Sequence, residues 1–199
     1  MLCRSDASGG SRQPEKGVMR TNNLVRLAFL PLALVVAACA PMAGPERTTT
    51  VESVDVERYL GTWYEVASIK QFFSVGLVNS TAEYSLLPNG NIRVFNSGNY
   101  FSADGPRSEI IGSAVPVDST NSRLNVSFTG FNSAEPPGNY WVVDLDPDYQ
   151  WAIVSNPGGD TGFILSRTKQ ISDELRAELL QRAADAGVDT SRMTVTEQF

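Results

Sequence analysis

The side chains that do most of the chemistry in enzymes are scarce in this chain. Its 199 residues include no histidine and only two cysteines, Cys3 and Cys39, which excludes a zinc site of the usual kind. A histidine base is excluded as well, and metal-assisted catalysis would have to use carboxylates, which the sequence does not group suitably. The formal net charge of −6 argues against the basic surface of a nucleic-acid-binding protein.

Cys39 ends a segment with the pattern of a secretory signal. Two arginines, Arg20 and Arg26, precede an almost unbroken apolar run over residues 27–36, which ends in Val-Ala-Ala-Cys at 36–39. The run is shorter than the roughly 20 residues that cross a bilayer, so it does not predict a transmembrane helix. Its end resembles the lipobox of bacterial lipoproteins, which implies cleavage before Cys39 and acylation of this residue. The alternative is that Cys39 is an ordinary apolar residue of the leader.

This signal sets the predicted organisation of the chain. The predicted segments are a non-native N-terminal extension over 1–18, a lipoprotein signal peptide over 19–38, a flexible tether over 39–53 and a folded domain over 54–199. We interpret Met19 as the true start. Ala40 favours the outer membrane, by the same resemblance to bacterial lipoproteins. The predicted location is therefore the outer membrane of a bacterial envelope, with the domain facing the periplasm.

Processing at Cys39 would leave a chain without a thiol and with an acidic surface. From Glu46 onward there are 20 acidic and 11 basic residues, which gives a net charge of −9. No disulfide could form in such a chain. Because this surface repels anionic lipid headgroups, we expect the acylated cysteine to hold the protein at the membrane.

Gly61 and Trp63 stand where the first strand pattern begins. The residues that follow are mostly β-branched or aromatic, the types that suit a pleated sheet. A buried Trp needs a partner for its indole N–H, so at a strand's first position it more often closes an end than fills a middle. A later strand, 163–167, ends in Arg167, whose guanidinium could lie over the Trp63 ring as a cation–π pair.

The Gly61-x-Trp63 motif and the terminal-strand Arg167 resemble the first and last signature segments of the lipocalins. Residues 61–65 (Gly-Thr-Trp-Tyr-Glu), 81–86 (Thr-Ala-Glu-Tyr-Ser-Leu) and 164–174 resemble the bacterial lipocalins in particular. The similarity extends from about Val54 to the C-terminus. It implies an all-β fold, an eight-stranded up-and-down antiparallel barrel with one C-terminal α-helix packed outside.

Turn residues separate short strand patterns at the spacing of an all-β barrel or sandwich. Asn89-Gly90 predicts a tight hairpin, and residues 146–148 and 156–160 predict two further turns. The predicted strands are 62–72, 79–87, 91–98, 107–116, 122–129, 139–145, 149–155 and 161–167. Eight such strands can close on themselves and leave room for one small ligand.

Apolar Leu124, Val126 and Phe128 alternate with polar residues, so this apolar face should point into the barrel. Carrying the family's alternation to the other strands gives the predicted ligand-binding residues Ala67, Ile69, Ala82, Tyr84, Val94, Asn96, Ile110, Val126, Phe128, Tyr140, Val142, Trp151 and Phe163. The same alternation points Leu86, Ala114, Ile153 and Leu165 inward, with Leu86 and Leu165 as ordinary core near the base.

Three further features, Glu65, a C-terminal helix and a last strand, are predicted outside this set of inward residues. Glu65 shares the parity of Trp63, and we expect it to be a structural partner of Arg167. A helix is predicted from an N-cap at Ser172 to a stop at Gly187, with its apolar side on the barrel wall. Residues 192–196 are predicted to form a short last strand, which in the family pairs with the first.

The resemblance implies a lipid-anchored carrier of a fatty acid or lysophospholipid, without a metal or other cofactor. Burying a long acyl chain at about 0.8 kcal/mol per CH₂ supplies on the order of 10 kcal/mol before the cost of association. The inward candidates Tyr84, Asn96 and Tyr140 could orient a headgroup. The loop over 131–138 departs from the bacterial branch because only Phe131 is aromatic, so the headgroup preference stays open.

Two other functions remain open on the sequence. A carboxylate-dependent isomerase would need a second carboxylate within reach of Glu65 inside the barrel. A structural or stress-response envelope protein without a stable ligand would have a filled interior.

Overall fold

Residues 47–199, which a computed structural model describes, form a closed antiparallel β-barrel. Strands β1 to β8 follow one another around it in sequence order, and β1 closes the ring by pairing with both β8 and β2. The strands are β1 Gly61–Ile69, β2 Leu77–Leu86, β3 Ile92–Tyr100, β4 Arg107–Pro116, β5 Arg123–Ser127, β6 Tyr140–Leu145, β7 Trp151–Ser155, β8 Gly162–Ser166 and a short β9 Met193–Val195. The predicted fold class is confirmed. The predicted extension, signal peptide and Cys39 lie outside the described residues.

The up-and-down order gives the barrel two different ends. The closed end carries the start of β1 and the connections over 87–91, 117–122 and 146–150, and the open end carries the connections over 70–76, 101–106, 128–139 and 156–161. Four strands end earlier than predicted: β1 at Ile69, β5 at Ser127, and β2 and β8 each by one residue. β1 ends at Ile69 because a turn follows, in which the Ser74 N–H donates to the Gln71 carbonyl at 2.8 Å.

A helix of 13 residues, α2 Asp173–Asp185, packs on the outside of the barrel as predicted. The Ser172 hydroxyl accepts a hydrogen bond from the Leu175 N–H at 3.2 Å, which caps the first turn. Leu179 and Ala183 are fully buried against the wall. Gly187 follows at φ +89°, a conformation that suits glycine and ends the helix. A four-residue helix before the barrel, α1 Val56–Tyr59, was not predicted.

The apolar side chains form two separate clusters on either side of the barrel wall. The inner cluster contains Trp63, Tyr84 and Val142 and fills the closed half of the barrel. The outer cluster lies between the wall and α2, and it contains Trp141, Ile153 and Ile164 together with the buried face of the helix. A barrel residue can therefore be fully buried and still face away from the interior.

The segment before the barrel is bound to the barrel wall along its described part. The Arg47 N–H donates to the Pro157 carbonyl at 2.8 Å in the open-end connection between β7 and β8. The Thr48 side chain is buried, and the Val51 N–H donates to the Val142 carbonyl at 2.9 Å. The described part of the predicted tether, from Arg47 onward, therefore contacts the barrel. No helix in the described range is long and apolar enough to cross a membrane.

Candidate functional site

The closed end of the barrel is sealed by Trp63 and Arg167, as the sequence predicted. Trp63 is completely buried, and the Arg167 guanidinium carbon lies 3.7 Å from the centroid of its ring. The indole Nε1–H donates to the Tyr59 carbonyl at 2.8 Å, so the buried ring leaves no unpaired donor. Gly61 sits at φ +88° beside the pair.

Arg167 is held by backbone carbonyl groups on three sides. Its Nη1 donates to the Thr62 carbonyl at 3.0 Å, its Nη2 to the Arg58 carbonyl at 2.7 Å and its Nε to the Tyr149 carbonyl at 3.3 Å. The fork of donors thus ties α1, β1 and the turn between β6 and β7 together. Glu65 is not among its partners, so the predicted pairing of Glu65 with Arg167 is wrong. The reason is that carbonyl groups already occupy the guanidinium edge.

Three tyrosines form a buried cluster directly above this floor. The hydroxyl of Tyr140 is 2.9 Å from that of Tyr59 and 3.0 Å from that of Tyr84. The Tyr59 ring lies 5.0 Å from the Trp63 ring, centroid to centroid. Burial raises the pKa of all three hydroxyls, and it raises the pKa of Tyr84 to about 12. The cluster is therefore neutral at physiological pH and acts as a hydrogen-bonded upper layer of the floor.

The space beside the tyrosine cluster is small and apolar. It measures about 20 Å³ and is lined by Val54, Val56, Tyr59, Leu60, Tyr84, Ile92, Ala114, Asn121, Leu124, Val126, Tyr140 and Val142. A water molecule needs roughly 10 to 15 Å³, so this cavity has room for about one. The closed half of the barrel is consequently filled by its own side chains, and a larger ligand must use the open half or displace some of them.

The open half of the interior is more polar. The Glu65 carboxylate accepts hydrogen bonds from the hydroxyls of Ser68 and Thr196 and forms an ion pair with Lys70 at 2.5 Å. The side chains of Glu65 and Lys70 are each only 13% exposed. The partners of this carboxylate are thus a cation and hydroxyls rather than the second carboxylate that the isomerase hypothesis requires.

Asn96 lies on the inner face of β3, where its Oδ1 is buried and has no hydrogen-bond partner among the described residues. In register, Asn96 is opposite Ala82 on β2 and Ile110 on β4, so the three form a row across the inner wall. Ile110 is 47% exposed because it lies towards the open end. The row therefore offers an apolar surface with an unused hydrogen-bonding group.

A family model described as a lipocalin-like domain matches residues 54–198. The chain belongs to the lipocalin family. Outer membrane lipoprotein Blc of Escherichia coli (strain K12) is 39% identical to this lipocalin over 175 residues, which cover 86% of this chain and 95% of that protein. Temperature-induced lipocalin-1 of Arabidopsis thaliana is 37% identical over 163 residues, covering 79% and 86%. The resemblance to the bacterial branch is thereby confirmed.

Comparison with solved structures supports the same fold. The crystal structure of the cockroach allergen Per a 4 superimposes with a TM-score of 0.57, at 20% sequence identity, and covers 79% of this lipocalin and 97% of that chain. This similarity concerns the architecture of the barrel only.

Most of the predicted interior residues face the interior. They are Ala82, Tyr84, Val94, Asn96, Ile110, Val126, Phe128, Tyr140, Val142 and Phe163, together with Ala114 and Leu165. Tyr84, Val94 and Val142 belong to the filled closed half, whereas Asn96, Ile110 and Phe128 lie towards the open end. Leu86 points the same way but is 45% exposed at the closed edge, so its prediction as buried core is wrong.

Ala67, Ile69, Trp151 and Ile153 were predicted to face inward, and this is wrong. All four belong to the cluster between the barrel wall and α2. In β1 the cause is a bulge: Glu65 pairs with Leu165 of β8, but Ala67 pairs with Ile164, so the alternation changes sides between them. A similar shift in β6, between Val142 and Asp144, alters the register with β7.

The bulge also brings to the interior residues that the sequence analysis missed. Ser68 and Lys70 follow it on the inner side of β1, where the first bonds the Glu65 carboxylate and the second pairs with it. Ala152 and Val154 are the inward residues of β7. The apolar spacing in β7 was compatible with either face, so only the register could have identified them.

The tyrosine cluster predicts a loss of stability at high pH. The ordinary tyrosine pKa is about 10, so the unfolded chain loses the Tyr84 proton above pH 10, whereas the folded chain keeps it up to about pH 12. The contribution of Tyr84 is thus fully present below pH 10 and should fall by about 3 kcal/mol as the pH rises to 12. Urea denaturation at several pH values would measure this, and Tyr84→Phe should weaken the dependence more than Tyr64→Phe, which lies outside the cluster.

Proposed function

We propose that this lipocalin is a lipid-anchored carrier that binds a fatty acid or lysophospholipid in the bacterial envelope. Membership of the family supports the binding and carrying of a hydrophobic ligand. The observation that carries the finer proposal is the gradient inside the barrel, from the sealed aromatic floor to the polar open half. A molecule with an apolar chain and a polar head matches this gradient.

The proposed roles of the inward residues follow from their height in the barrel. The acyl chain would lie against Ile110, Phe128 and Phe163 and extend down towards Val126. The head would lie nearer the open end, where the third N–H of Lys70 is available to an oxygen acceptor and the Asn96 Oδ1 is available to a donor such as a headgroup hydroxyl. Tyr84 and Tyr140, which the sequence proposed as headgroup ligands, would limit the depth of the chain instead.

The location of the protein is part of the proposal. Relatives at 36–39% identity carry the name outer membrane lipoprotein, which supports a place in the envelope. Acylation of Cys39 would supply the anchor, and the domain would face the periplasm. We also propose that the protein is not an enzyme, because the inward Glu65 is neutralised by Lys70 and is not free to act as a base.

The small size of the enclosed cavity favours a second candidate, a structural envelope protein without a stable ligand. A space of about 20 Å³ cannot hold an acyl chain, so binding must use the open half or rearrange the inner side chains. The two candidates differ in a directly measurable property, namely saturable binding of an amphiphile.

A titration with a fluorescent fatty acid, followed by competition with lysophospholipid, separates the two candidates. The barrel, its core and its helix all lie within 47–199, so a chain starting at Pro41 is suitable. We expect saturable binding of one molecule per barrel with micromolar affinity. Ile110→Trp should fill the open half and weaken binding at least tenfold, which is about 1.4 kcal/mol.

Ile111→Trp is the matched control for this substitution. Ile111 is the next residue of β4, faces outward and is 59% exposed, so the same added ring lies outside the barrel. No saturation with the unmodified chain would favour the structural protein, and equal binding by both variants would contradict a binding site in the open half of the interior.

A further inference from the structure

Three connections at the open end expose large apolar side chains. In the connection over 128–139 it is Phe131, which is 87% exposed, and the other two connections are bonded to each other. Phe72, Phe73 and Val75, in the connection from β1 to β2, are 92%, 60% and 60% exposed, and Phe101, after β3, is 78% exposed. We call these four residues the aromatic tip. An exposed apolar patch on a protein surface usually marks a binding surface, because contact between apolar side chains and water is unfavourable.

The aromatic tip is a built structure rather than two independent loops. The Phe101 N–H donates to the Gly76 carbonyl at 2.7 Å, and the Tyr100 hydroxyl donates to the Phe73 carbonyl at 3.0 Å. Within the tip, Phe72 and Phe73 pack edge to face at 5.3 Å. The two connections therefore present their rings together.

The backbone at Phe101 is held in an unfavourable conformation. Its φ of +69° lies in the left-handed region, which costs a bulky residue of order 1 to 3 kcal/mol. A Cβ on Gly76 would lie 2.6 Å from the Phe101 ring, so any other residue at position 76 would have to displace this exposed ring. Phe101 thus combines an unfavourable backbone conformation with a solvent-exposed ring, and folding alone favours neither.

The charge of the tip differs from that of the rest of the protein. Residues 71–76 contain no charged side chain, and the adjacent Lys70 points inward to Glu65. The chain from Glu46 onward carries a net charge of −9. The four residues of the tip are thus uncharged on an acidic molecule, and the connection over 101–106 adds one exposed carboxylate, Asp104. Repulsion by anionic lipids is therefore weaker here than on the remaining surface.

The chain enters the barrel at the same end. Arg47 is bonded to Pro157 in the open-end connection between β7 and β8, and only eight residue steps separate it from Cys39. Eight steps span at most about 28 Å. An anchor at Cys39 would therefore bring the open end to the lipid directly, whereas the closed end could approach only if the chain ran along the barrel.

We propose that the aromatic tip inserts into the headgroup region of a phospholipid bilayer, so that the open end of the barrel faces the membrane. Aromatic rings are favoured at this depth because their apolar faces are buried there while nearby polar groups stay hydrated. The inference rests on the proposed anchor at Cys39 and on the proposed lipid ligand. A ligand would then pass between bilayer and barrel without crossing bulk water.

Site-specific labelling of the processed lipoprotein tests this orientation. In that protein Cys39 would be acylated, so a cysteine introduced by Phe72→Cys would be its only free thiol and could carry an environment-sensitive fluorophore. Leu86→Cys is the matched control, because Leu86 is an apolar residue 45% exposed at the closed end. Both labelled proteins would be reconstituted in phosphatidylethanolamine–phosphatidylglycerol vesicles, some containing a nitroxide-labelled lipid.

We expect the label at position 72 to shift to shorter wavelength and to be quenched by the nitroxide several-fold more than the label at position 86. Equal quenching at the two positions, or stronger quenching at 86, would overturn the orientation. Mass spectrometry of the fragment that contains Cys39 tests the anchor separately. If Cys39 carries acyl chains but quenching is equal at the two positions, the proposed docking is wrong and the anchor is confirmed. If Cys39 carries no acyl chains, the anchor and the orientation derived from it are both wrong.

Discussion

Replacing Trp63 with alanine is expected to lower the free energy of unfolding by about 3 to 5 kcal/mol, the usual cost of removing a fully buried large aromatic side chain. The ring is completely buried between Tyr59 and Arg167. Its loss would leave a cavity at the floor, remove the cation–π contact and take the donor away from the Tyr59 carbonyl. Urea denaturation monitored by circular dichroism would measure the change.

Two variants distinguish the contribution of the floor to stability from the general effect of losing an aromatic ring. Trp151→Ala removes a half-buried ring on the outer side of the wall and should cost clearly less than Trp63→Ala. Arg167→Lys keeps the charge but loses the fork that reaches three carbonyl groups, and it should cost about 1 to 3 kcal/mol. A loss for Trp63→Ala no larger than that for Trp151→Ala would show that the floor is not a main source of stability.

Replacing Lys70 with methionine is expected to lower the free energy of unfolding by about 3 to 5 kcal/mol, because it leaves the Glu65 carboxylate without its cation. Both side chains are only 13% exposed, so water can replace the lost partner poorly. The Ser68 and Thr196 hydroxyls would still donate to the carboxylate, which places the expected loss towards the lower end of this range. The same denaturation experiment applies.

The double variant Glu65→Gln with Lys70→Met tests the cause of that loss. Replacing both members of a buried pair is often nearly neutral, since no uncompensated charge remains. We therefore expect the double variant to recover most of the stability that Lys70→Met loses. Additive losses would instead indicate that the two side chains act through packing and not through their charges.

The end motifs of the barrel were predictable from sequence because their chemistry depends on residue type. Gly61 permits the turn, Trp63 supplies the buried indole and Arg167 supplies the cation over its face. The structure contains this arrangement. Alternation on strands without irregularities, such as β3 and β4, was also predictable. There, Val94, Asn96 and Ile110 point to the expected side because the registers continue without a shift.

The rest of the site depends on strand irregularities and on contacts between distant elements, which a regular alternation of inward and outward residues does not predict. A single bulge after Glu65 moves Ala67 and Ile69 outward and Lys70 inward, and no residue type in this stretch announces it. The partner of Glu65 was wrong for two reasons: the bulge brings Lys70 to the carboxylate, and backbone carbonyl groups already occupy the donors of Arg167. Likewise, the filled state of the closed half follows from three tyrosines that meet from α1, β2 and β6, which sequence spacing cannot reveal.

Native mass spectrometry of the lipoprotein purified from its own membrane tests the carrier proposal most directly. It predicts a population heavier than the acylated chain by one fatty acid or lysophospholipid, retained by Ile111→Trp and lost or strongly reduced in Ile110→Trp. A mass equal to that of the acylated chain alone, in the unmodified protein and in both variants, would contradict the proposal and identify the barrel as a structural component of the envelope.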